Sequence, residues 1–381
     1  MKKHACDRCG QRIFFENVHC EQCHAALGFD PGTLRMRAFD VDADGAWHFA
    51  GGAEDGAVRL RPCVNYVDHN VCNWLVPVDD PNPLCCACRT TRVLPDLARP
   101  GNLVHWGQLE AAKRRMFYGL LRLGLPVPSR GEDPAHGVAF EFLETLDPAA
   151  RVMTGHDEGL ITLNVAEADD VEREAARARM HEPSRTLLGH FRHEIGHYYW
   201  DRLVRDLPAL DRYRALFGDE RADYPTALRR HYEQPRTDWM LDCISAYASS
   251  HPWEDWAECF AHYLHMQDGL ETAANWGLRL QQAVPGSPAV VAQSLQPGTR
   301  QLERSLVESW LPISQFVNAM SRSLGTRDSY PFVVPPPVVD KLAFIHEVIH
   351  AGVSGEAPMN FTPRSAQPRP GGAPADAAVA A

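Results

Sequence analysis

The chain has no membrane-length apolar run: nothing in it approaches the ~18 residues that a spanning helix needs. It has no secretory leader pattern, because the residues behind Lys2 and Lys3 (HACDRCG) are not apolar. Positive charge is scarce too: 38 Lys and Arg stand against 49 Asp and Glu, for a net charge of −11. That balance disfavours non-specific binding to nucleic acid or to an anionic membrane. These absences lead us to expect a cytoplasmic protein with no membrane partner. At 381 residues and 45% hydrophobic composition, the chain is long and apolar enough for two or three packed domains.

Cysteine, by contrast, is plentiful: 11 residues, nine of them before residue 99. In a reducing compartment they are not expected to pair as disulfides, so their spacing decides their use. Cys6–Cys9 and Cys20–Cys23 are two CxxC pairs. Each such turn presents two thiolates, and two turns close a tetrahedron around Zn²⁺. Scattered thiols or a redox pair would not explain two such pairs so close together. Cys63, Cys72, Cys85 and Cys88 form a second candidate set, in which only the last pair has this spacing. Cys86 competes there, and Asp68, His69 and Asn70 are further donors, but the repeated CxxC geometry favours Cys85 and Cys88. Closed four-thiolate sites leave no open coordination position, so both sets read as structural zinc. Cys86, Cys243 and Cys259 are left over as core candidates.

Along the chain, residues 1–98 look loop-rich, with short alternating runs AWHFA (46–50) and VRLR (58–61) suggesting hairpins. A helix is expected from about Leu103 to Leu123, capped by Asn102. VAFEFLE (138–144) and GLITLNVAEA (159–168) read as strands, and residues 169–181 as a charged helix. A longer helix spans 184–204 after Pro183, with Ser184 as a possible cap. Further helices are expected near 209–217, 236–248, 252–268, 300–324 and 337–351. From about 355 the chain is rich in Pro, Gly and Ala and reads as a disordered tail.

The chemistry concentrates in HEIGH at 193–197. On a helix, residues at i and i+4 share a face, so His193 and His197 can grip one metal. Glu194 is then placed to take a proton from a water on that metal. The chain holds a second such motif, HEVIH at 346–350. Its helix has a packing stripe (Val338, Leu342, Ile345, Ile349), and no helix follows to supply a third ligand. His346 and His350 therefore read as flank residues of a packing helix. His190, one turn before the first motif, is either a neighbour of the metal ligands or simply packed.

The first motif does have a helix after it: HPWEDWAECFAHYLH at 251–265, with Pro252 suited to its first turn. Glu254 and Glu258 lie at i and i+4 on one face. Glu254 can be the third zinc ligand, and Glu258 can accept a ring N–H and fix a histidine tautomer. The alternative, two carboxylates on a solvated face, is weakened by Trp253, Trp256 and Phe260. His262 and His265 are lesser donors. Tyr247 could donate to a developing oxyanion, or could be an ordinary packed tyrosine.

HFRHEIGHYYWDRL, HPWEDWAECFAHY and GLITLNVAEADD resemble a family of bacterial zinc-binding metallopeptidases, whose N-terminal zinc-ribbon-like region is similar to CDRCG…CEQC and CVNYVDHNVCNWLVP…LCCAC. The resemblance runs from Cys6 to about residue 351. The catalytic segment also resembles the gluzincin peptidases and, more distantly, the anthrax lethal factor peptidase domain. There the ligand helix carries a glutamate, two aromatics, an alanine and a second glutamate. Glu254, Trp256, Ala257 and Glu258 match that pattern, Asp255 departs from it, and Tyr247 keeps the tyrosine seven residues ahead. The resemblance implies an α+β fold: a zincin-like metallopeptidase domain, with a small mixed sheet plus helices, preceded by a small zinc-ribbon β module. It also implies an edge strand above the active helix that pairs with the substrate backbone; GLITLNVAEA is the candidate.

The expected organisation is a zinc-ribbon-like module over 1–98, a metallopeptidase domain over 99–354 and a tail over 355–381. The expected cofactors are one catalytic and two structural zinc ions. The expected activity is hydrolysis of peptide bonds in a protein or peptide substrate. The competing readings are a zinc-ribbon adaptor with an inactive zincin-like domain, and a zinc amidohydrolase acting on a non-peptide amide.

Overall fold

The computed structural model describes residues 2–51, 59–147, 149, 152–180, 186–281, 289–295 and 302–359. It divides into two compact units, Met1–Gly155 with Leu160–Phe191, and His156–Gly159 with Arg192–Ala381. Among the described residues no helix is long and apolar enough to cross a membrane.

The first unit begins with short antiparallel pairs, as expected of a chain whose early segments are too brief to bury a face alone. β1 (His4–Ala5) pairs with β2 (Arg12–Ile13). β3 (Ala26–Asp30), β4 (Arg35–Val41) and β5 (Trp47–Phe49) form a meander. β6 (Leu60–Pro62) pairs with β7 (Leu75–Pro77), with the one-turn helix α1 (Val64–Val67) between them. The core here is aromatic. Phe29 stands 4.8 Å from Phe15 and 4.9 Å from Trp74, ring centre to ring centre, and Phe15 stands 5.4 Å from Tyr118.

Tyr118 belongs to α2 (Asn102–Leu123), which buries Trp106, Leu109, Met116, Phe117 and Leu120. Its N-cap is Gly101 at φ 90°, not the expected Asn102. Asn102 is the first helical residue, and its amide donates to Asp96 O at 2.8 Å. A left-handed φ at the cap suits glycine best, because it has no Cβ, which explains the one-residue shift.

β8 (Thr91–Val93), β9 (Ala139–Leu143), β10 (Gly155–Asp157) and β11 (Leu160–Asn164) make a four-stranded sheet of order β10-β11-β9-β8. β11 runs parallel to β9, and β9 parallel to β8. The strand expected over 159–168 stops at Asn164, whose side chain accepts from Ala166 N–H and starts a 3₁₀ turn over Val165–Ala168. It is also not the edge expected of it: β10 lies outside it, and the edge strands of this sheet are β10 and β8. α3 (Asp170–Met180) follows.

α4 (Leu187–Leu203) carries the first HExxH motif, and the suggested cap Ser184 lies outside the described residues. α5 (Leu210–Phe217) and α6 (Tyr224–Glu233) come next. α6 was not anticipated, although Asp223 caps it through Thr226 N–H and Pro225 sits in its first turn. The helix expected over 236–248 is absent: that stretch makes 3₁₀ turns at Trp239–Leu241 and Tyr247–Ser250. Arg236 ties both Asp238 and Asp242 to itself, which rewards a local turn over a helical ladder.

α7 (Pro252–Asn275) is longer than expected and buried nearly all round. His251 caps it, its Nδ1 accepting Trp253 N–H at 3.1 Å. α4 and α7 touch at a glycine. A Cβ on Gly196 would lie 3.1 Å from Ala257 Cα, and Trp256 Nε1 donates to Gly196 O at 2.8 Å. The helix expected over 300–324 is broken into α8 (Leu302–Ser305), a π turn (Leu306–Trp310) and α9 (Leu311–Ser323). Pro312, which lacks a backbone N–H, sits at the junction. α10 (Pro336–Ser354) packs Val338, Leu342, Ile345 and Ile349 inward and is capped by Gly355. The tail expected from 355 lies outside the described residues from 360 onward.

Candidate metal centres

Three groups of side chains gather donor atoms within 4.8 Å of one another: Cys6, Cys9, Cys20 and Cys23; Cys63, Cys72, Cys85 and Cys88; and His193, His197 and Glu254.

In the first group each CxxC pair makes the same turn. Gly10 N–H donates to Cys6 O at 2.9 Å, and His24 N–H to Cys20 O at 2.8 Å. The residue after each pair, Gly10 or His24, takes a left-handed φ of 75° or 58°. Cys6 Sγ lies 3.6 Å from Cys23 Sγ, and Cys9 Sγ lies 3.6 Å from Cys20 Sγ. In the second group Cys72 Sγ lies 3.8 Å from Cys85 Sγ. Sulfurs on a zinc tetrahedron with Zn–S bonds of about 2.3 Å stand about 3.8 Å apart, whereas a disulfide needs about 2.05 Å. The spacing therefore fits zinc. Backbone N–H groups also point at the sulfurs. Those of Trp74, Cys85 and Cys88 donate to Cys72, Cys63 and Cys85 at 3.3, 3.3 and 3.4 Å. Such donors favour the thiolate form that a metal requires.

Cys86 is outside the second group, and burial pushes its thiol up to about 12. Asp68, His69 and Asn70 are exposed and also outside it. Cys243 and Cys259 are buried in the second unit.

The third group joins α4 to α7. His193 Nε2 lies 3.1 Å from His197 Nε2 and 2.9 Å from Glu254 Oε2, and His197 Nε2 lies 3.5 Å from the same oxygen. Nitrogen and oxygen ligands at about 2.0–2.1 Å from a tetrahedral zinc would stand about 3.3 Å apart. Glu254 Oε2 is buried, yet no hydrogen bond of acceptable geometry reaches it. A buried carboxylate oxygen left this way costs a few kcal/mol unless something else satisfies it. Two aimed imidazole nitrogens and that orphaned oxygen fit a divalent metal.

The surrounding residues fix these donors. His193 turns its other nitrogen, Nδ1, to Glu258 Oε1 at 2.8 Å, and Ser245 Oγ donates to Glu258 Oε2 at 2.6 Å. This hydrogen bond selects the tautomer that leaves Nε2 free for a metal. Tyr224 on α6 donates its phenol to Glu254 Oε1 at 2.7 Å. The His197 ring packs on Trp253 at 3.8 Å and stacks near His156 at 6.0 Å.

The electrostatics agree. Burial works against charge on His193, but the nearby carboxylates of Glu254 and Glu258 outweigh it and hold the imidazole well above its usual range. Burial also opposes ionisation of Glu254 and Glu258, yet the histidines hold both below the usual carboxylate range, Glu258 at about 2. Tyr247 lies in the 3₁₀ turn, its ring 5.9 Å from that of His193. Burial, then the charge of Glu254, raises its phenol well above normal. Glu194 is buried, and its charge is felt at Tyr224.

The other candidate histidines are engaged elsewhere. His190 faces Glu167 in the first unit. His262 Nδ1 meets Tyr330 Oη at 2.8 Å, and His265 faces Arg192. His346 Nδ1 meets Tyr263 Oη at 2.9 Å, with His350 beside it, and neither belongs to a metal-type group among the described residues. Tyr224 and Ser245 were missed by sequence reasoning. The cap-and-proline start Asp223–Pro225 could have revealed the helix that carries Tyr224.

A mixed α+β chain with an N-terminal cysteine-rich zinc ribbon and two helices gathering a His-His-Glu set has the build of a metallopeptidase. The chain belongs to the family described as "putative zinc-binding metallo-peptidase", matched over residues 102–348, and a zinc-ribbon domain is matched over residues 3–99. It is 42% identical over 351 residues to an uncharacterized protein of Mycobacterium bovis, covering 92% of this chain and 95% of that one. Uncharacterized proteins from two strains of Mycobacterium tuberculosis match to the same extent. No solved structure matches.

Proposed function

We propose that the chain is a zinc-dependent peptidase of the gluzincin type, which hydrolyses peptide bonds in a protein or peptide substrate. The observation that carries this reading is the convergence of His193 Nε2, His197 Nε2 and Glu254 Oε2 within 3.5 Å. These three residues would hold the catalytic zinc, and the two cysteine groups would hold structural zinc. A zinc ion held by three protein ligands supplies an acidified water and polarises a carbonyl.

The chain's own residues would do the rest. Glu194 takes the proton from the attacking water and passes it to the leaving amine. Glu258 keeps His193 in its ligating tautomer, and Tyr224 holds Glu254 in place. Tyr247 is the candidate donor to the developing oxyanion. An adaptor with an inactive domain would have no need of Glu254 turned toward the two histidines.

The test is a peptide library incubated with zinc-loaded protein beside the Glu194→Gln variant. The wild type should cleave, and the variant should lose more than ~10²-fold while keeping its metal. Equal cleavage by both proteins would refute the mechanism.

A further inference from the structure

A cavity of about 260 Å³ opens beside the second cysteine group, with Val18, Val71, Val104, Gln108 and Arg114 among its lining residues. Arg114 is 7% exposed. Its Nη1 donates to Val71 O, the one acceptor its guanidinium meets among the described residues. Glu110, whose charge reaches Arg114, is already committed to Lys113 at 2.9 Å. Burial works against the charge of Arg114, and the negative charge of Cys72, Cys88 and Glu110 sustains it. That attraction accounts for a buried cation, but it uses none of the remaining N–H groups. A guanidinium has five, in a planar fork that matches a carboxylate.

We propose that this cavity captures the free carboxylate at the C-terminus of a peptide chain. Arg114 is the bidentate partner, and Val18, Val71 and Val104 receive the last side chain. The volume is below the ~300–1,000 Å³ of pockets for drug-sized ligands, which suits a chain end. Glu16, which also lines the cavity, is neutralised by Arg115 at 2.6 Å, so Arg114 is the cavity's buried cation. Asn73 donates its amide to the carbonyls of Phe15 and Asn17 and keeps a buried Oδ1 that can accept a peptide N–H, and Gln108, exposed at the mouth, can pair with the final peptide group.

The site is independent of hydrolysis and is tested without it. Full-length zinc-loaded protein carrying Glu194→Gln, so that the probe stays whole, is titrated with fluorescein-Ser-Gly-Ser-Ala-Val by fluorescence anisotropy. The free acid should bind at least ~10-fold tighter than its C-terminal amide, the scale of a hydrogen bond to a charged group. Arg114→Gln should erase that difference. Val104→Glu, at a rim position 63% exposed, should weaken the acid by like-charge repulsion while zinc content stays unchanged. It carries the test if Arg114→Gln fails to fold. Equal binding of acid and amide, or no binding, overturns the proposal. So does an amidated peptide with an internal Asp binding as tightly as the acid. N-acetylvaline competing as well as the peptide would assign the cavity to small carboxylates and overturn the peptide reading.

Discussion

Tyr224 Oη donates to Glu254 Oε1 at 2.7 Å, so Glu254 faces the histidines with one oxygen and is anchored by the other. The proposed ligand is thus oriented from α6, a helix that carries neither the HExxH motif nor the glutamates. Tyr224→Phe should keep the fold and weaken binding of the catalytic zinc by ~10–100-fold, the usual scale for residues that orient ligands. Chelator competition on the purified variant measures it; unchanged affinity would show that Glu254 needs no such anchor.

Glu254 and Glu258 should separate cleanly. Glu254→Ala should lose the catalytic zinc at ordinary metal concentrations. Glu258→Ala, which leaves His193 Nδ1 without its carboxylate, should lose ~10–100-fold in binding or activity but accept zinc when it is supplied. A zinc titration of both variants, with the cysteine sites counted separately, decides the matter. The reverse ranking would require the two roles to be exchanged.

Zinc-replete protein should contain about three ions per chain, given two four-cysteine groups and one His-His-Glu group. Chelation should remove the His-His-Glu ion first, since an open site exchanges more readily than a closed thiolate cage. Metal analysis returning one ion or fewer would contradict this count.

His346→Ala and His350→Ala should leave the catalytic metal in place. His346 is engaged with Tyr263, and both histidines lie within the packing of α10. Loss of the catalytic zinc from a folded variant would place that metal at the second HExxH motif.

Much of the site was legible because its spacing is local. His193 and His197 need only a helix to share a face, with Glu194 the next residue after the first of them, and Glu254 and Glu258 need only another helix. The same periodicity puts Glu258 one turn beyond Glu254, where its carboxylate meets His193 Nδ1. Tyr224 was missed because its partner lies 30 residues away and their pairing is set by tertiary packing, which the start of its helix does not reveal. The lost helix over 236–248 and the sheet edge failed for a related reason. Whether Arg236 draws Asp238 and Asp242 into a turn, and whether β10 flanks β11, depends on pairings that periodicity does not encode.

The contact between Gly196 and Ala257 changes what the motif means in this chain. HExxH is written with two blank letters, yet one of those blanks sets how closely the two ligand-bearing helices can approach. A single methyl at Gly196 would sit 3.1 Å from the Ala257 backbone, and the carbonyl of Gly196 is also the acceptor for the Trp256 indole. A side chain there would press on the backbone of α7, the helix that carries Glu254. The reach of the third ligand is therefore written into the first helix as well, at a position where that helix has no side chain.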